Sequence, residues 1–277
     1  MAEFLHLMAA PFAACLVLTG IHAYLGLHVI ERQVIFVDLA LAQIAALGST
    51  VGFLFGFGLH HSENYLFALG FTFLGAAVFS LTRFKEEKVP HEAIIGVVYA
   101  VAAASSILVL SRAAEGSEEL KSLLVGHLLF VSWPEVGKMA AIYGVIGFLH
   151  WLFRSRLLFI SQRPREAFDQ GVPVRWWDLF FYITFGVVVT SSVELAGVLL
   201  VFSFLIVPAI CGVLLGGDGI GRRLWIGWGI GALTSVIGIA ASYFLDLPTG
   251  AAVVCAFGLV LLAVGTVKSA FCRQRSS

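Results

Sequence analysis

The sequence predicts an all-α polytopic membrane protein with eight or nine transmembrane helices, a short re-entrant or interfacial helix and one short charged helix between spans. Three observations predict it. Of 277 residues, 60% are hydrophobic and only 12% charged, and the mean hydropathy is +0.97, too apolar for a single water-soluble core to hide. Apolar runs of about 20 residues, the length that crosses a bilayer, recur along the whole chain. Basic residues fall almost entirely on one side of the resulting topology. The charges balance, 17 basic against 17 acidic, so there is no cationic footprint for nucleic acid, and the apolar content excludes disorder.

The first run, 7–28, follows an N-terminus with no Lys or Arg before it and no small-residue cleavage site. It is expected to be a retained span rather than a signal peptide. Further spans are expected at 33–57, 64–83, 91–111, 136–157, 176–194, 196–216, 221–244 and 248–268. Only Glu194-Leu195-Ala196-Gly197 separates the sixth from the seventh, which leaves the count at eight or nine. The apolar stretch at 120–133 is too short to cross and carries Lys121 and His127, so it reads as re-entrant or interfacial. No connection is long enough for a second domain, and residues 1–277 read as one transmembrane domain.

With the N-terminus outside, the inner segments hold Arg32, Arg83, Lys85, Lys88, Arg154, Arg156, Arg163, Arg165, Arg175, Arg222, Arg223, Lys268, Arg273 and Arg275, 14 of the 17 basic residues. Arg112, Lys121 and Lys138 are left outside. This bias puts the C-terminus in the cytoplasm. The longest inner connection runs from Arg154 to Arg175; within it, Arg163 to Pro173 is opened by Pro164 and closed by Gly171-Val172-Pro173, which are helix start and stop signals. Phe168 is expected to be an exposed aromatic on this cationic helix, a docking surface for a cytoplasmic partner.

Ionisable groups at membrane depth are functional candidates. Asp38 is the clearest, in the second span among Ala40, Ala42, Ala45, Ala46 and Gly48. Small residues there let helices approach closely or leave room for a path. Gln43, five residues on, lies roughly 140° further round the helix. His60, His61 and Glu63 cluster in a short outside loop and are weaker candidates for attracting a cation. His22 and His28 lie on different faces of the first span, His91-Glu92 opens the fourth, and His6 and His150 have no evident partner. Cys15, Cys211, Cys255 and Cys272 form no CxxC pair, so neither a disulfide framework nor a thiolate metal site is indicated. No GxxxxGK[ST], HExxH or GxSxG segment is present, so the chain has no P-loop of its own and no recognisable hydrolytic set.

Four segments carry a family resemblance. They are Arg32 to Asp38 followed by Ala45-Ala46-Leu47-Gly48; Glu92-Ala93-Ile94-Ile95-Gly96; Lys121 to Trp133; and Ala196-Gly197-Val198 through Pro208-Ala209, with Ser242 to Gly250. In this order and spacing the chain resembles the permease subunit of bacterial metal-uptake ABC transporters of the zinc/manganese/iron type, over residues 15–268. The resemblance implies a homodimeric permease in the bacterial inner membrane with no permanently bound cofactor and no catalytic residues. It implies two cytoplasmic ATP-binding-cassette ATPases, and an extracytoplasmic metal-binding protein that delivers zinc, manganese or iron. It also gives 162–173, with Pro164, Arg165, Glu166, Phe168 and Gly171, the role of a coupling helix docked on the ATPase. The family's intramembrane Asp-x-x-x-His pair is thought to touch the metal at the gate. Asp38 keeps the Asp position, whereas Ala42 stands at the His position and Gln43 is the nearest polar residue. A helix bulge would bring Gln43 into play; otherwise the ligand set differs, or the cargo is not a bare zinc ion. Uptake of a metal chelate, or a scaffold role without a transport path, are the competing readings.

Overall fold

A computed structural model describes residues 2–58, 62–85, 89–111 and 126–275. Eleven α-helices occur among the described residues: α1 (Ala2–Glu31), α2 (Val37–Leu54), α3 (Ser62–Leu81), α4 (His91–Leu110), α5 (Trp133–Leu152), α6 (Arg154–Gln162), α7 (Pro164–Asp169), α8 (Val174–Ala196), α9 (Val198–Gly216), α10 (Ile220–Leu245) and α11 (Thr249–Arg275). Eight are long and apolar enough to cross a membrane, and a ninth crossing results if α5 and α6 count as one bent span.

That pair corrects the expected span at 136–157. α5 stops at Leu152, and α6 leaves at a 75° bend. The apolar run ends where Arg154 and Arg156 begin, and charged side chains do not continue into hydrocarbon. Arg154 caps the break, donating to the Trp151 carbonyl at 3.0 Å with its guanidinium 4.9 Å from the Trp151 ring centroid. The second expected span also starts late, because residues 32–36 form a tight turn before α2. The expected re-entrant helix is not an α-helix where it is described: Leu128–Phe130 is a single 3₁₀ turn, and 120–125 lie outside the described residues.

The chain divides into two compact units. The first comprises Met1–Ile30, Val125–Tyr143 and Leu195–Ser277. Its helices pack through small residues: a Cβ on Gly26 of α1 would collide with the Leu205 carbonyl of α9, the close approach that membrane helices use in place of hydrophobic collapse. Trp228 Nε1 of α10 donates to the Gly20 carbonyl of α1 at 3.0 Å, and the Phe204 and Phe257 rings meet edge to face at 4.9 Å between α9 and α11. Gly126, at φ +68°, lies against the backbone of Ala196 and Gly197, where a side chain would not fit. The neighbouring His127 amide donates to the Leu195 carbonyl at 2.9 Å. The break between α8 and α9 is thus clamped by the segment around Gly126. α10 ends at Asp246 in the left-handed region, φ +52°, with the Leu247 amide returning to Ser242 O and the Ser242 and Thr249 hydroxyls bonded at 2.8 Å.

The second unit comprises Glu31–Leu124 and Gly144–Glu194. Here α2 is largely buried, packed against α3 and α4. A Cβ on Gly48 would stand 2.6 Å from the Phe67 carbonyl of α3, so Gly48, the end of the small-residue surface, serves close helix packing. Buried polar side chains are paired across helices: Thr72 with Thr190 at 3.0 Å, His150 Nε2 with Thr184 at 2.7 Å, and His91 Nε2 with the Phe79 carbonyl at 3.0 Å. Away from water such groups must find partners, which accounts for His91 and His150 as packing residues.

Candidate functional site

Asp38 lies in the first turn of α2 at 1% exposure, and its Oδ1 has no hydrogen-bond partner among the described residues. A carboxylate at a helix start commonly accepts from backbone amides of the first turn; this oxygen is left with its bonding capacity unused, a costly state for a buried group. Gln43 is also buried, at 8%. α2 runs as uninterrupted α-helix from Val37 to Leu54, so no bulge turns Gln43 toward the Asp38 face. The position one turn after Asp38 is Ala42, itself buried at 1%.

Of the weaker candidates, Glu63 is described. Glu63 is exposed at the start of α3, with its carboxylate 3.3 Å from the Ser62 hydroxyl. His60 and His61 lie outside the described residues. Among the described residues no group of three His, Cys, Asp or Glu side chains is placed to hold a metal ion.

The turn that precedes α2 holds what the sequence reading missed. Arg32, at 5% exposure, donates through Nε to Ser161 Oγ at 2.8 Å and through Nη1 to Asp178 Oδ1 at 2.5 Å, while its guanidinium lies 4.1 Å from the Phe181 ring centroid. Asp178 is fully buried in α8, and its other oxygen faces Arg83 Nε at 3.5 Å. One carboxylate therefore serves two buried guanidiniums. The signal was available: Asp178 lies two residues inside the predicted span 176–194, where an acid demands the same attention as Asp38. The turn itself is stiff. Gln33 takes φ +58°, the Val37 amide returns to Val34 O at 3.1 Å, and the Phe36 amide donates to Glu92 Oε1 at 2.9 Å. Glu92, the acid expected at the start of α4, thus holds the neighbouring helix's entry.

The expected coupling segment 162–173 contains α7, a six-residue helix with Pro164 at its first turn. Arg165, Glu166 and Gly171 are exposed, and Gly171 turns the chain at φ +70°. Phe168 departs from expectation: it is half-buried, packed on the cluster of Ile160, Ala167 and Val174 with Phe159 and Trp177. Apolar area lost from water outweighs display on so small a helix. A cavity of ~250 Å³ opens beside α7, lined by Arg32, Arg83, Lys85, Pro164, Arg165 and Phe168 among others.

A sequence model of the ABC 3 transport family matches residues 4–268. The chain belongs to the ABC 3 transport family. As a member of it, the chain is a permease-type subunit, not itself catalytic, and a multi-pass membrane protein. It is 27% identical over 198 residues to a manganese transport system membrane protein of Listeria innocua, covering 69% of this chain and 70% of that one. It is 29% identical over 210 residues to a chelated iron transport system membrane protein of Yersinia pestis, covering 71% and 69%. Its fold matches PsaBC from Streptococcus pneumoniae, solved in complex with a Fab, at a TM-score of 0.77 and 21% identity over 95% of this chain and 94% of that one.

Proposed function

We propose that this ABC 3 family chain is the membrane permease of an ATP-driven importer of a divalent metal, manganese or iron ahead of zinc. The observation that carries the reading is Asp38, a buried carboxylate with an unused oxygen in the first turn of a largely buried helix. A dication crossing a low-dielectric path needs a compensating carboxylate. Release on the far side needs that site to fall short of a closed cage, and one carboxylate with a few neutral oxygens meets both demands. Manganese and ferrous iron accept oxygen donors more readily than zinc, which favours imidazole and thiolate. Ala42 at the family's His position fits that preference, and the manganese named for the Listeria relative agrees with it.

The reading assigns the basic ends of the spans to the cytoplasm, with α7 docked on an ATP-binding-cassette ATPase through Arg165, Glu166 and the chain around Gly171. A second copy of the permease and an extracytoplasmic metal-binding protein complete the assembly. Gln43 enters as a neutral donor for a later step along the path, because its face differs from that of Asp38. Motion of α7 under ATP would then change which side Asp38 faces, by movement of packed elements rather than by local flexing.

Radiolabelled manganese uptake by cells expressing the complete system, with Asp38→Ala or Asp38→Asn against the parent, tests the reading. Uptake should fall to background in both variants while the permease remains in the membrane. Unchanged uptake removes Asp38 from the path. Ala42 at the family's His position also supports a chelate as cargo, as does the chelated iron named for the Yersinia relative; import of a pre-formed metal chelate by a parent that ignores free manganese and iron would decide for it.

A further inference from the structure

We infer that Arg32 is a positioning residue, the strut through which displacement of α7 reaches the Asp38 turn, with Asp178 holding it in register. The inference rests on the proposed transport function for its meaning, and on contacts inside one compact unit for its geometry.

α7 does not move alone. Ala167 is fully buried with Ile160 of α6 and Val174 of α8, so the three segments share one small core and shift together. At the near end of this block, Ser161 Oγ accepts from Arg32 Nε at 2.8 Å. At its far end, the Asp169 carboxylate lies 2.6 Å from Lys85 Nζ. The two links differ in kind. Lys85 and Asp169 side chains are 56% and 60% exposed, and an ion pair so well solvated separates and re-forms at little cost. Ser161 is 1% exposed and Arg32 is 5% exposed. The same guanidinium is held by the fully buried carboxylate of Asp178 on α8, a helix of the same block, and cannot leave it without a large desolvation penalty, so Arg32 stays with the block when it moves.

Arg32 is also built to pass the motion on. Its planar fork reaches Ser161 and Asp178 at once while its face rests on Phe181, a combination that a lysine ammonium cannot reproduce. It stands six residues before Asp38, and the intervening turn is braced at Val34–Val37 and at Phe36–Glu92. A braced turn transmits displacement, whereas a floppy one would absorb it.

The test uses the purified complex of permease and ATPase in liposomes, with manganese and then ferrous iron as cargo. It compares Arg32→Lys and Ser161→Ala with Lys85→Gln as the contrast. Metal transported per ATP hydrolysed should fall about tenfold in Arg32→Lys and less in Ser161→Ala, with hydrolysis retained, and stay at the parent value in Lys85→Gln. Hydrogen exchange of backbone amides 34–42 should respond to nucleotide in the parent and lose that response in Arg32→Lys. Parental coupling in both Arg32→Lys and Ser161→Ala overturns the inference. So does an equal loss of hydrolysis and transport, which a merely structural role would produce. If the parent carries neither metal, the proposed cargo fails, and the exchange response alone then decides the strut: its loss in Arg32→Lys upholds it, its persistence overturns it. Ser161→Ala, which removes one hydroxyl, keeps the test decisive if Arg32→Lys does not assemble.

Discussion

Replacing Asp178 with alanine probes the central piece of electrostatics in this protein. Asp178 is fully buried and stands between Arg32 and Arg83, at 2.5 Å and 3.5 Å, with both arginines 5% or less exposed. Removing it takes away the fully buried carboxylate that two guanidiniums share. Breaking a buried pair from one side costs about 3–5 kcal/mol, because the remaining charge stays desolvated. At the usual sensitivity of a chain this size, the thermal midpoint should fall by roughly 6–20 °C. Arg83→Met supplies the contrast. It leaves Arg32 and Asp178 as a one-to-one pair and forfeits a contact that is long at 3.5 Å, for about 1.5 kcal/mol and roughly 3–6 °C. Thermal unfolding in detergent, followed by tryptophan fluorescence, measures both. A midpoint within about 2 °C of the parent for Asp178→Ala, below the range expected from the same scaling, would refute the reasoning. An Arg83→Met loss equal to that of Asp178→Ala would refute it as well, since charge balance predicts an ordering.

Other outcomes follow from single contacts. Gly126→Ala should cost about 2 kcal/mol or more, because φ +68° and the adjoining backbone of Ala196 and Gly197 both exclude a side chain; limited proteolysis at the break between α8 and α9 should accelerate, and parental resistance would contradict the clamp. Phe168→Ala should cost about 2 kcal/mol in a melt, half the value for a fully enclosed ring, whereas exposed Arg165→Ala should leave the melt unchanged and weaken co-purification of the ATPase. Gln33→Gly should hold or raise stability by up to about 1 kcal/mol by relieving the left-handed strain at φ +58°, while Gln33→Val lowers it in the same assay.

The burial of Asp38 was legible in the sequence, the arginine cluster was not, and the gaps have identifiable causes. Asp38 declared itself because a lone acid inside an apolar run has few innocent explanations. The same rule applied to Asp178 would have found the arginine cluster. It went unremarked because Arg175-Trp176-Trp177-Asp178 reads as the polar edge of a span. Phe168 was expected at the surface because a six-residue helix shows no periodicity from which to tell its faces apart. The partners of His150 were invisible for another reason: Thr184 is 34 residues away, and sequence spacing says nothing about which helices are neighbours.

The sequence by itself determined that this is a membrane chain of eight or nine crossings, where its basic edges lie, where Gly197 and Pro164 interrupt its helices, and that Asp38 is an acid set within an apolar span. Those properties follow from composition and from local rules that act within about 20 residues. Only the tertiary structure decided that α5 and α6 part at a 75° bend and that Gln43 stays on a face apart from Asp38. It alone brought Arg32, Arg83, Ser161 and Asp178 into one cluster. Those four residues come from four separated stretches of chain, and what selects their meeting is the need of buried charges for one another once water is excluded.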